Sequence, residues 1–122
     1  YKIVKKIRRP VPINENVNYL IPHVNIVLHG SAIIFSPSYL DKEENAFHPG
    51  TFMYAEEDIL YHTCMRKGYK IIYSPLTSIF HKEDASTDSI LKSDYRKLMF
   101  IYKNQRDSFG ILKKILENIE KR

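Results

Sequence analysis

An α/β fold is what this sequence predicts, and three observations predict it. Short β-branched apolar runs lie between residues 25 and 35 and again between residues 70 and 81. A stretch that opens with acids and closes with bases and glycine stands between them, and helical apolar spacing fills the last third of the chain. The 122 residues, 43% hydrophobic and 27% charged, suit one core and leave little room for two. A single domain over 1–122 is expected, divided into a basic arm and loop (1–24), a core (25–86) and C-terminal helices (87–122).

The arm carries Lys2, Lys5, Lys6, Arg8 and Arg9, after which Pro10 and Pro12 interrupt any regular element. Such a charge run reads as a solvated face. From Val24 the pattern changes: Asn25-Ile26-Val27-Leu28 and Ala32-Ile33-Ile34-Phe35 read as buried strands around His29-Gly30-Ser31, where Gly30 permits a backbone approach that a Cβ would block. Ser36-Pro37-Ser38 is placed to cap a short helical turn over residues 39–42, and residues 43–50 read as a mobile polar loop ending in Pro49-Gly50.

The central helix is expected from Ala55 to Gly68. Glu56, Glu57 and Asp58 complement the positive end of the helix dipole, Arg66 and Lys67 complement the negative end, and Gly68 provides the stop. Leu60 and Cys64 mark its buried stripe. Lys70 to Tyr73 and Ser78 to His81 read as strands separated at Ser74-Pro75. Beyond them, Leu91, Tyr95, Leu98 and Tyr102 form one core-like helical stripe, and Leu112, Ile115, Leu116 and Ile119 form a second after Gly110. Lys113, Lys114, Lys121 and Arg122 give the final helix a basic side suited to an anionic membrane surface or to packing on the domain.

No apolar run approaches the ~20 residues that cross a bilayer. The chain opens on Tyr1 with no signal-peptide pattern and is read as cut from a longer polypeptide. The single Cys64 excludes an intrachain disulfide and fits a reducing, cytoplasmic setting with a structural thiol. A net charge of +5 and a pI near 9.3 permit contact with phosphates, whether of nucleic acid, anionic lipid headgroups or a lipid-pyrophosphate acceptor, and charge alone does not choose among them. Nucleic acid is not expected among them, since neither zinc-ligand spacing nor an aromatic RNA-binding motif accompanies the charge.

Three acids at a helix start are ordinarily explained by the dipole alone. Their order with other motifs carries more: His29-Gly30-Ser31-Ala32, then Phe52-Met53-Tyr54-Ala55-Glu56-Glu57-Asp58-Ile59-Leu60, then Gly68-Tyr69-Lys70-Ile71-Ile72-Tyr73-Ser74-Pro75, then His81. That series resembles the second half of family 2 glycosyltransferases of the GT-A fold, in particular rhamnosyltransferase-like members of bacterial cell-envelope polysaccharide biosynthesis. The resemblance spans residues 28–86, with a looser likeness at Tyr102-Lys103-Asn104.

The resemblance implies a partial GT-A fold and an enzyme that moves a sugar from a nucleotide-sugar donor to a glycan or lipid-linked acceptor. This chain would form its acceptor side and supply its base. Gly30, Ser31 and Glu56 would border the substrate, Glu57 or Asp58 would be the catalytic base, and His81 would be a metal ligand. Alignment without a gap places the family's Glu-Asp pair on Glu56 and Glu57, while matching the letters places it on Glu57 and Asp58. Thr63 stands where the family commonly has arginine. Such enzymes use Mg²⁺ or Mn²⁺ held by an Asp-x-Asp motif, and none occurs here. The resemblance therefore implies a nucleotide-binding half preceding Tyr1, and a fragment that by itself is inactive and binds no metal. The implied setting is the cytoplasm, with peripheral contact at the inner face of the membrane. The alternative is a non-catalytic interaction or membrane-docking module, and self-association through apolar surface is expected of either.

Overall fold

The acids and bases that mark the central helix in the sequence fall at its two ends in the structure, a computed structural model that describes residues 17–80 and 94–120. In chain order the elements are β1 (His23–Val24), α1 (Pro37–Leu40), α2 (Glu56–Lys67), β2 (Ile72–Tyr73) and α3 (Asp94–Glu120). α2 turns Ile59, Leu60 and Cys64 inward, a spacing that puts them along one side of a 3.6-residue helix. Leu60 and Cys64 join Ile71 in a buried cluster, and Leu28, Ile33, Phe35, Tyr39, Phe47 and Tyr69 pack around it. Edge-to-face ring pairs line this shell, with Phe35–Phe47 and Tyr39–Tyr69 centroids both 5.4 Å apart. Burying a leucine side chain in such a setting contributes roughly 1.5–3 kcal/mol.

The two short strands pair antiparallel, with His23 opposite Tyr73 and Val24 opposite Ile72. The ladder ends at Asn25 for a local reason. Asn25 adopts a left-handed backbone (φ 58°), its N–H donates to the Ile71 carbonyl at 2.7 Å, and its own side-chain oxygen accepts from Ile71 N–H at 3.2 Å. The asparagine side chain thus takes the place of the next rung. Residues 25–28, 32–35 and 78–80 form no strands, contrary to the sequence expectation, and of residues 70–73 only Ile72 and Tyr73 pair. Leu28, Ile33 and Phe35 are apolar because they pack on the core cluster, not because they alternate in a sheet.

The helical turn expected over residues 39–42 forms two residues earlier, with Ser36 as its cap, whose hydroxyl accepts from Tyr39 N–H at 3.3 Å. The loop that follows is tied at both ends. Glu43 accepts from Lys67 Nζ and from the Tyr69 hydroxyl, and the Tyr39 hydroxyl donates to the Ala46 carbonyl at 3.1 Å. Burial holds the Tyr39 hydroxyl up at a pKa of about 12, with the Cys64 and Glu43 charges adding to the effect.

The last third is one helix, not two. Gly110 sits inside α3 without a positive φ and with open space around it, so it neither caps nor breaks the helix. The stripes predicted for this region are covered only in part, with Leu98, Leu112 and Ile115 half-buried. Tyr95, Tyr102, Leu116 and Ile119 are exposed, and Leu91 lies outside the described residues. The covered side of α3 includes Phe100, whose ring meets Phe52, the buried Ser108, Ile111 near Gly50, and Ile115 of the predicted stripe, which lines a cavity with residues of α2. Ser108 is 1% exposed and its hydroxyl finds no hydrogen-bond partner among the described residues. Among those residues no helix is long and apolar enough to cross a membrane.

Candidate functional site

The entry to α2 is built against backbone preference. Met53 (φ 63°) and Ala55 (φ 53°) both hold left-handed conformations, which cost an L-residue about 1–2 kcal/mol each. Ala55 occupies the N-cap and has no side chain with which to cap, so the first helical hydrogen bond is Ile59 N–H to the Ala55 carbonyl at 3.0 Å. Two strained residues on either side of Tyr54 are the kind of outlier that concentrates at functional sites. Periodicity and propensity carry no sign of them in the sequence.

The strained entry presents Glu56, Glu57 and Asp58, all half-buried, from the first turn of α2. Their environments differ. Burial raises the Glu56 carboxyl above the usual carboxylate range and the Glu57 charge adds to this, while a hydrogen bond from the Met53 backbone works the other way. Burial likewise raises Asp58, reinforced by Glu57 and opposed by His62 one helical turn on. Glu57 reaches out of the helix altogether: its Oε1 accepts from Gly30 N–H at 2.9 Å. Asp58 makes no hydrogen bond with the described residues.

Gly30 lets the Glu57 carboxylate lie against the turn. A Cβ there would collide with Glu57 Oε1 and stand 3.0 Å from its Cδ. The turn is also tied to itself, since Ser31 N–H donates to His29 Nδ1 at 3.1 Å and the Ser31 hydroxyl lies 2.9 Å from the same nitrogen. With Nδ1 accepting, the His29 ring proton sits on Nε2. The structure therefore brings Gly30 to Glu57, with Ser31 beside it and Glu56 and Asp58 flanking on the helix. His81 lies outside the described residues. Among those residues no three of His, Cys, Asp and Glu gather into a metal-ligating group.

A second feature went unread in the sequence. An open cavity of about 350 Å³ lies between the loop after α1 and the outer side of α2, lined in part by Tyr39, Glu43, His48, Thr63, Arg66 and Ile115. Neither Gly30 nor the three acids line it. Glu43 and Lys67, joined at 2.6 Å on its wall, are 24 residues apart and leave no local signature in the sequence. Comparison of the chain with family models, with curated proteins and with solved structures finds no match.

Proposed function

We propose that the chain forms the acceptor side of a GT-A-type glycosyltransferase and carries its catalytic base, which transfers a sugar from a nucleotide-sugar donor to a glycan or lipid-linked acceptor. One observation supports this above the rest: the 2.9 Å hydrogen bond between Glu57 and Gly30 joins an acidic helix start to a glycine turn 27 residues away. The family resemblance assigns those two features to the same substrate site. In the reaction a carboxylate takes the acceptor hydroxyl proton as that oxygen bonds to the anomeric carbon, and the nucleoside diphosphate leaves with the electron pair of the broken bond. A carboxyl raised by burial, as Asp58 is, makes a stronger base than an exposed one. Mg²⁺ or Mn²⁺ would offset charge on the leaving group. The described residues offer no ligand set for either ion, so no step here runs through it.

The proposed setting is cytoplasmic, with the enzyme peripheral to the inner face of the membrane. Sugar transfer by the intact polypeptide, measured for Glu57→Gln and Asp58→Asn separately, tests the reading. At least one should lose about 10²–10⁴-fold in kcat, the usual range for a general base. Undiminished transfer by both would remove the base from this helix.

A second reading, docking to a partner or an anionic membrane, draws on the apolar residues left exposed: Ile34 at 97%, Phe80 at 93%, Leu76 at 90%, and Tyr95, Met99 and Tyr102 on α3. Co-sedimentation with anionic vesicles that weakens at high salt would favour it over the transferase. The same residues lead us to propose self-association of the chain. Light scattering showing a strict monomer at high concentration would count against that.

A further inference from the structure

We infer that Glu57 acts as a positioning residue: its carboxylate latches the Gly30 turn onto the first turn of α2 and leaves proton transfer to Asp58. The assignment of roles rests on the transferase reading; the latch itself rests on geometry alone. Of the three acids, Glu56 accepts from the Met53 backbone and Glu57 from Gly30 N–H, so both are committed to holding main chain. Asp58 has no such commitment among the described residues, and its carboxylate oxygens are left to accept a proton. The Gly30 contact is charge-assisted, which makes such a bond about twice as strong as a neutral one. The fit is close enough that position 30 takes no side chain while the latch is closed. The local bonds between Ser31 and His29 shape the turn itself. Glu57 attaches it to α2, fixing how far the turn stands from the neighbouring Asp58.

Amide hydrogen exchange at Gly30, with sugar transfer by the intact polypeptide measured in parallel, tests both halves. Glu57→Ala should raise Gly30 exchange about tenfold or more while leaving the amides in the second half of α2 unchanged. Glu57→Gln keeps an acceptor oxygen and should restore most of the protection, and Asp58→Asn should leave it as it was. Gly30→Ala drives the carboxylate off the turn without altering α2 and should also raise exchange at residue 30. Protection at residue 30 that survives both Glu57→Ala and Gly30→Ala overturns the latch. In the transfer assay Glu57→Gln should largely retain kcat where Glu57→Ala does not, and Asp58→Asn should lose it. The opposite pattern, with Glu57→Gln inactive and Asp58→Asn active, overturns the division of roles. A wild-type polypeptide that transfers no sugar refutes the transferase reading, and with it the proton-transfer role of Asp58, while the exchange experiment still decides the latch.

Discussion

The two ends of α2 obey different rules. At the C-terminal end everything serves stability. Gly68 takes the left-handed conformation at φ 74°, its N–H donates to the Met65 carbonyl, and Tyr69 N–H donates to Cys64, which is the Schellman pattern with Tyr69 packed back on the core. Lys67 complements the negative end of the dipole and is itself neutralised by Glu43. At the N-terminal end an alanine stands in the left-handed conformation where glycine or a capping side chain belongs, and three carboxyls crowd one turn. A helix has one dipole and one core face, so the contrast lies in what each end is built for. The C-terminal end pairs its cation Lys67 with the Glu43 carboxylate, and the N-terminal end spends a carboxylate on main chain at the Gly30 turn.

The largest expected effect comes from the most deeply buried residue of α2. Ile59 is 1% exposed, and Ile59→Ala should lower unfolding free energy by about 2–5 kcal/mol in denaturant titration, loosening both ends together. Retained Gly68 capping alongside a lost Glu57–Gly30 bond in that variant would show that the two ends fold as separate units. A sharper test exchanges the same two residue types at opposite ends. Gly68→Ala meets open space but imposes a left-handed alanine, costing about 1 kcal/mol net. Ala55→Gly relieves that same strain and should stabilise by up to about 1 kcal/mol. Thermal or denaturant unfolding reads both. Equal signs would erase the distinction between a stabilising end and a strained one.

How far the sequence disclosed this helix follows the same division. The C-terminal end was legible because its signals are local: Arg66, Lys67 and Gly68 are consecutive, and each has its own physical reason to be there. The acids at the other end were legible as a cluster, but not the left-handed Met53 and Ala55, because neither residue type favours that conformation. Strands were expected at 25–28 and 32–35 because β-branched runs look alike whether they pair or only pack. At 25–28 the ladder stops at Asn25, whose side chain accepts from Ile71, 46 residues away in the chain. The stripes on α3 are covered only in part for a related reason, since apolar spacing marks a face without saying how much of it a neighbour covers. The Glu57–Gly30 contact combines the two cases: the order of motifs singled out both partners, and only the fold could bring them together.

The smallest expected effect is the dependence on pH, and its sign separates the two ends. Glu43 is held below the usual carboxylate range by hydrogen bonds from Lys67 and Tyr69, so the folded chain gives up that proton more readily than the unfolded chain does. Its contribution is present in full above the ordinary glutamate pKa and is lost as pH falls through the depressed folded value. Glu56 and Asp58 are raised mainly by burial, which reverses the linkage. Their charged forms oppose folding above the raised values, and acidification through that range relieves the opposition. Lowering the pH from neutral should therefore first firm the N-terminal end and then, below the ordinary glutamate range, loosen the C-terminal end. In unfolding experiments at stepped pH, Asp58→Asn should be the more stable variant near neutrality and lose its advantage on acidification. Glu43→Gln should be destabilised at neutrality and converge on wild type in acid. If both substitutions shifted stability in the same direction near neutrality, the carboxyls at the entry of α2 would be doing the same work as the one at its exit, and burial would not be what sets Asp58 apart.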